Sequence, residues 1–268
     1  MIDILSFALI LAAAGALAGL IAGLLGVGGG IVIVPVLYYL LPAADIPEHA
    51  RMHVAVATSL ATIIATSIIS ARSHYKRGGV DVPLLKSLAP GIVIGVLIGV
   101  ALGGAASGRT LTAIFAVIAF IVSIHMAFFK GVQLRDAVPV RPIRDLIGVF
   151  IGAVSVMMGI GGGTLSVPIL SMCSVPIRRA VGTASAIGLI IAIPGAIGFA
   201  VAGWGEPGLP PGSIGYVNLI GFVMIAPLSM LLAPVGAKLA HTIPNVWLSR
   251  TFAVFLAITS VRMMLSLL

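Results

Sequence analysis

The sequence predicts an all-α polytopic membrane protein built from two inverted repeats, and three observations carry that reading. Of its 268 residues 60% are hydrophobic and only 8% charged, with a mean hydropathy of +1.25, a composition outside the range of soluble domains. Residues 4–44, 146–177, 180–205 and 207–237 contain no Asp, Glu, Lys or Arg, and a spanning helix needs roughly 20 such residues. The stretch Gly26-Val27-Gly28-Gly29-Gly30-Ile31-Val32-Ile33-Val34-Pro35 is written again as Gly159-Ile160-Gly161-Gly162-Gly163-Thr164-Leu165-Ser166-Val167-Pro168, 133 positions later.

The run 4–44 is too long for one crossing, since a helix of that length would extend about 62 Å against a hydrocarbon core of about 30 Å. Glycine costs a helix interior about 1 kcal/mol relative to alanine. The triple glycine is therefore expected to divide the run into a helix near 4–25 and a shorter one near 30–41, which Pro42 ends. Further helices are expected at 52–71, opening with His53, at 84–105, and at 110–129. The long polar connection 130–145 then separates the halves. The pattern restarts with 146–177, broken at Gly161–Gly163, and continues with helices at 180–203, 214–236 and 246–267.

This gives eight to ten helical segments in a single transmembrane domain, with one repeat over 1–130, a cytoplasmic linker over 131–145 and a second repeat over 146–268. Each repeat is a glycine-broken, re-entrant helix pair followed by three transmembrane helices. Ordered matches extend beyond the glycines: Ser59 to Ser185 at a spacing of 126, and Gly99, Phe115, Ser123 and Met126 to Gly236, Phe252, Ser260 and Met263 at 137. Such order argues for duplication of a whole unit.

The formal charge of +8 reads as topology signal, with no nucleic acid as partner. If each broken pair returns to its own side, the halves are inverted and 12 of the 15 Lys and Arg residues share one face, leaving Arg51, Arg109 and Arg262 opposite. Parallel halves would divide them 9 to 6. The positive-inside rule favours the inverted arrangement, with both termini away from the cytoplasm. The first apolar run follows Asp3 without a basic n-region and is read as part of the mature fold. Cys173 is the single cysteine, which leaves no internal disulfide or cysteine metal cluster, and it reads as a buried packing residue.

All seven acids lie in loops or at helix ends, whereas cation-coupled transporters and intramembrane proteases keep carboxylates at depth. Motifs of soluble enzymes fail: Gly26-x-Gly28 begins like a dinucleotide fingerprint, but Ile31 occupies the third glycine position, and no phosphate loop, HExxH or nucleophile elbow occurs. The reading is a non-enzyme with no catalytic residues, no metal and no cofactor. At membrane depth the chain offers backbone at Gly28, Gly29, Gly30, Gly161, Gly162 and Gly163, the hydroxyls of Thr58, Ser59, Thr164, Ser166, Thr183 and Ser185, and two helix N-termini. Backbone opened in a membrane must be satisfied by protein or line a cavity, and helix N-termini attract anions. These residues are accordingly the expected substrate site for a small oxygen-rich anion. Pro35 and Pro168 mark the broken helices, and His53 and Arg179 stand where an anion would enter. The competing readings are that glycines only allow close helix packing, that hydroxyls bond their own i−4 carbonyls, and that the basic residues are interfacial anchors.

The doubled motifs at 23–37 and 158–170, the segments HVAVATSLATI (53–63) and AVGTASAIGL (180–189), and the length resemble the sulfite exporter TauE/SafE family. That resemblance implies a transporter, commonly an exporter, of sulfite or organosulfonates in the cytoplasmic (inner) membrane of a prokaryote. It carries the motif positions over to Gly26, Gly28, Gly29, Gly30, Pro35, Gly159, Gly161, Gly162, Gly163 and Pro168. The expected mechanism is alternating access with the anion held at the paired breaks; a passive anion channel of the same architecture is the alternative. Expected partners are the small anion and membrane lipids, and a homo-oligomer is compatible with the sequence.

Overall fold

A backbone surrounded by hydrocarbon must satisfy its own N–H and C=O groups, which for an apolar chain of this kind means helices. The computed structural model describes residues 4–26, 28–44, 46–128, 137–239 and 245–267, and these form ten α-helices and one two-residue hairpin. Asp3, Val27, Asp45, Lys130, Arg135 and Asp136 lie outside the described residues. The helices are α1 (Ile4–Leu25), α2 (Gly30–Leu40), α3 (Glu48–Lys76), α4 (Val82–Ala105), α5 (Gly108–Phe128), α6 (Ile143–Met157), α7 (Gly163–Met172), α8 (Ile177–Ala202), α9 (Leu219–Leu239) and α10 (Asn245–Leu265). Among the described residues six helices are long and apolar enough to cross a membrane: α1, α3, α4, α5, α8 and α9. Leu97, Leu102, Ile121, Ile197 and Leu231 are exposed on their outer sides, where a membrane protein meets acyl chains.

Two helices differ most from expectation. Helix α3 runs 29 residues rather than 52–71, because it extends past the apolar segment at both ends. Pro47 precedes it, Glu48 occupies its first turn, and His74 and Lys76 its last, charges that suit the helix dipole. His53 therefore sits inside the helix. Helix α9 starts at Leu219 rather than 214, since β1 (Ser213–Ile214) pairs antiparallel with β2 (Val217–Asn218) around Gly215 at φ +52.

Glycines set how the helices pair. On α1, Gly15, Gly19 and Gly23 lie against the backbone of Ile225, Ser229 and Ala233 on α9. The contact advances along both helices together, so they run parallel. On α4, Gly91, Gly95 and Gly99 lie in the same way against Asp145, Val149 and Ala153 of α6. Residue-level equivalence is close: Gly15 and Gly19 stand 133 positions before Gly148 and Gly152, which rest on Leu88 and Ile92, the positions 137 before Ile225 and Ser229. Helices α3 and α8 cross in opposite directions, because Gly182, Gly188 and Gly195 meet Gly79, Ser67 and Leu60 in falling order. Helix α9 follows α3, with Gly221 beside Thr58 and Ser229 bonded to Thr66; α4 follows α8, with Val100 beside Gly198 and Gly104 beside Ala202. One end of the bundle thus gathers Arg72, Lys76, Arg77, Lys86, Arg178, Arg179 and Lys238, and the other gathers His49, Arg51, Arg109 and Glu206.

Small residues at these crossings let backbones touch where no hydrophobic force drives helices together. A Cβ at Gly95 would be driven into the Val149 carbonyl. Gly95→Leu is expected to destabilise the protein by about 3 kcal/mol through overpacking, lowering the thermal midpoint in detergent by on the order of 10 °C. Leu97→Ala, on the exposed side of the same helix, should leave it nearly unchanged.

Candidate functional site

The two glycine stretches break their helices differently. Helix α1 stops at Leu25, and Gly26, Gly28 and Gly29 take φ of 68, 75 and 80, left-handed values that cost other residues energy. In the second stretch Gly159 has φ 65, whereas Gly162 is right-handed at φ −50. Gly26 and Gly159 are therefore the equivalent left-handed corners. Gly30 and Gly163 already belong to the helices that follow. Pro35 and Pro168 lie inside α2 and α7 without ending them, and each removes the donor to the carbonyl four residues earlier, on Ile31 and Thr164.

The fold brings the breaks into contact. A Cβ at Gly28 would stand 3.3 Å from Gly161 Cα, and one at Gly30 would stand 2.8 Å from Ser59 Oγ and press on the Gly159 carbonyl. Ser59 Oγ donates to Gly159 O at 2.7 Å. On the opposite side Ser185 flanks Gly26, with its Oγ 3.0 Å from where a Gly26 Cβ would stand. It donates to Val181 O (3.1 Å) and accepts from Ser70 Oγ (3.2 Å). Ser59 and Ser185 thus occupy equivalent places against equivalent glycines.

Thr58 and Thr183 do something else. Thr58 Oγ1 accepts from Asn218 N and Thr183 Oγ1 accepts from Asp81 N, both at 2.9 Å. Thr62 and Thr66 bond their own i−4 carbonyls, as hydroxyls in apolar helices usually do.

Thr164 and Ser166 differ again. They are 3% and 0% exposed, yet among the described residues their hydroxyls have no hydrogen-bond partner. They lie in the first turn of α7, where Ser166 N makes the first i−4 bond, to Gly162 O at 2.8 Å. The amides of Gly163, Thr164 and Leu165 precede it and have no helical acceptor. Two buried hydroxyls and three such amides make this turn rich in donors and free of charge, a setting that favours negative charge. The matching turn of α2 carries Ile31 and Ile33, both fully buried, so the polar wall is one-sided.

His53 and Arg179, equivalent by sequence, diverge in the structure. Arg179 is exposed (61%) with its guanidinium 3.8 Å from the Asp81 carboxylate. His53 is buried at 4%. Its Nδ1 faces His49 O at 3.1 Å, its Nε2 faces Gly103 O and Ala106 O at 3.2 and 3.1 Å, and its ring stacks on Tyr216 at 4.7 Å. Burial, and then the Glu206 carboxylate, raise the Tyr216 phenol above its ordinary value, so that ring stays neutral. Glu206 also meets His49 Nε2 at 3.1 Å. Among the described residues no group of three or more His, Cys, Asp or Glu is placed to hold a metal ion.

A model of the sulfite exporter TauE/SafE family matches residues 11–263. The chain belongs to that family. Individual proteins match it as well. The chain is 36% identical over 261 residues to a "Probable membrane transporter protein" of Haemophilus influenzae, covering 97% of this chain and 99% of that one. It is 28% identical to one of Methanocaldococcus jannaschii, covering 82% and 78%, and 25% identical to one of Bacillus subtilis, covering 90% and 92%. No solved structure matches. The protein is thus a multi-pass membrane transporter of the TauE/SafE family. Asp81, Asn218 and Tyr216, which organise the two ends of this site, escaped the sequence reading, although the 137-residue spacing already paired Asp81 with Asn218.

Proposed function

We propose that this transporter carries small sulfur oxyanions, sulfite or short organosulfonates, out of a prokaryotic cell across its cytoplasmic membrane, by alternating access between two inverted halves. The observation that carries the reading is the pair of partnerless buried hydroxyls, Thr164 and Ser166, at the start of α7 beside the crossed glycine breaks. A buried hydroxyl without a partner costs about 1–3 kcal/mol, and a cargo that accepts hydrogen bonds removes that cost only while bound. Amides and hydroxyls without a fixed positive charge suit an anion that must be released again. The opposed directions of α1 and α6, α3 and α8, and α4 and α9 support inversion, and the cluster of Lys and Arg at one end supports a cytoplasmic side for that end. Burial of Gly28–Gly30 and Gly159–Gly163 favours a carrier over an open channel. Lipids cover the exposed apolar faces.

The test is flux of labelled sulfite and of a short alkanesulfonate in proteoliposomes holding the full chain. Saturable flux of either, mutual competition and indifference to lactate are expected. Absence of both fluxes overturns the cargo, and unitary currents in a planar bilayer overturn the carrier.

A further inference from the structure

Resting on the alternating-access reading, we propose that two equivalent latches, one near each membrane face, join the halves, and that release of one at a time opens the site to that side. Asp81 caps α4 by accepting Leu84 N at 3.0 Å, and Asn218 caps α9 by accepting Gly221 N at 2.8 Å. The two cap residues stand 137 positions apart, as do Leu84 and Gly221. The backbone N–H of each cap residue is held by a threonine of the other half: Asp81 N by Thr183 on α8, Asn218 N by Thr58 on α3, each at 2.9 Å. Both threonines are fully buried. Because α3 and α8 run in opposite directions, the Thr183 latch closes the Arg179 end and the Thr58 latch the His49 end.

Two features make these bonds joints rather than ordinary caps. The N–H of an N-cap residue lies outside its helix's own hydrogen bonds, so it can be released without unwinding α4 or α9. Each latch threonine also lies within one turn of the serine that touches a glycine break of the other half: Thr58 beside Ser59, against Gly159, and Thr183 near Ser185, against Gly26. Movement at a latch therefore reaches the cargo site through a single helical turn. The latches are unequal in charge. Asp81 faces Arg179 at 3.8 Å, whereas its counterpart Asn218 is neutral and is tied to Pro211 O and Ser213 Oγ.

The test needs no cargo. In a Cys173→Ala background, Ser166→Cys is the reporter, labelled by a membrane-impermeant maleimide in right-side-out and in inside-out vesicles. Thr183→Val is expected to raise labelling about fivefold, the effect of one ordinary hydrogen bond, from the Arg179 face alone. Thr58→Val is expected to do so from the His49 face alone, and Thr58→Ser and Thr183→Ser, which keep the acceptor, should label like the parent. Where a valine variant does not purify folded, the alanine variant at that position carries the same comparison. Equal labelling from both faces, or no change in folded variants, overturns the latches. Sulfite flux is measured separately in the chain with Ser166 intact: one-sided labelling without that flux keeps the latches and loses the cargo, and flux with symmetric labelling does the reverse.

Discussion

Replacing Thr164 by valine and Ser166 by alanine together is expected to cut sulfite flux by tenfold or more while leaving the thermal midpoint unchanged or a few degrees higher. Ordinary site mutations lose stability when they remove a native hydrogen bond, but these hydroxyls have no partner among the described residues. Removing a buried polar group that has no partner is neutral or favourable to the fold. The cargo complex responds in the opposite sense. A hydroxyl bonded to an anion contributes about 1.5–3 kcal/mol, so losing one such bond lowers binding roughly tenfold and losing two lowers it further. Flux in proteoliposomes and thermal unfolding of the same preparations decide it. A stable variant with normal flux would show that these hydroxyls face no cargo. A variant that loses flux only because it unfolds would assign them to packing.

Gly159→Ala is expected to destabilise the protein by about 2–4 kcal/mol and to abolish transport. Its φ of 65 is a left-handed conformation, which costs an L-residue about 1–2 kcal/mol. The new Cβ would also stand 2.7 Å from Val56 Cα, and backbone cannot rotate away as a side chain can, which adds an overpacking cost of about 1–3 kcal/mol. The collision would push α3 from the break and stretch the Ser59 bond to Gly159 O. Gly162→Ala provides the contrast. Its backbone is right-handed, and the obstacle is the Ile187 side chain, so its loss should be smaller. Yield of folded protein and thermal midpoint, compared across the two variants, measure the difference. Equal effects would mean that backbone conformation at the corner is not what glycine supplies there.

The break itself was legible in the sequence because three successive glycines in an apolar helix leave few alternatives. Its corner was not, because Gly26 and Gly159 look no different from their neighbours until φ and the packing of Val181 and Val56 are known. Ser59 and Ser185 were legible as a pair through their spacing. Thr58 and Thr183 are one position out of that register, and their hydroxyls hold amides 160 and 102 residues away rather than the breaks. His53 was placed at an open entrance because the apolar run begins near it; the helix starts a turn earlier, and Tyr216 covers the ring.

Alone, the sequence determined that the protein spans a membrane, that one glycine-proline motif is written in it twice, and that glycine interrupts an apolar run at each copy, since hydropathy and spacing are properties of a line of residues. Only the tertiary structure decided which hydroxyls are satisfied and which remain open, which histidine is buried, and which threonines join the halves. Those outcomes depend on hydrogen-bond partners a hundred or more residues distant, and a donor in an apolar interior is defined by what the fold brings against it.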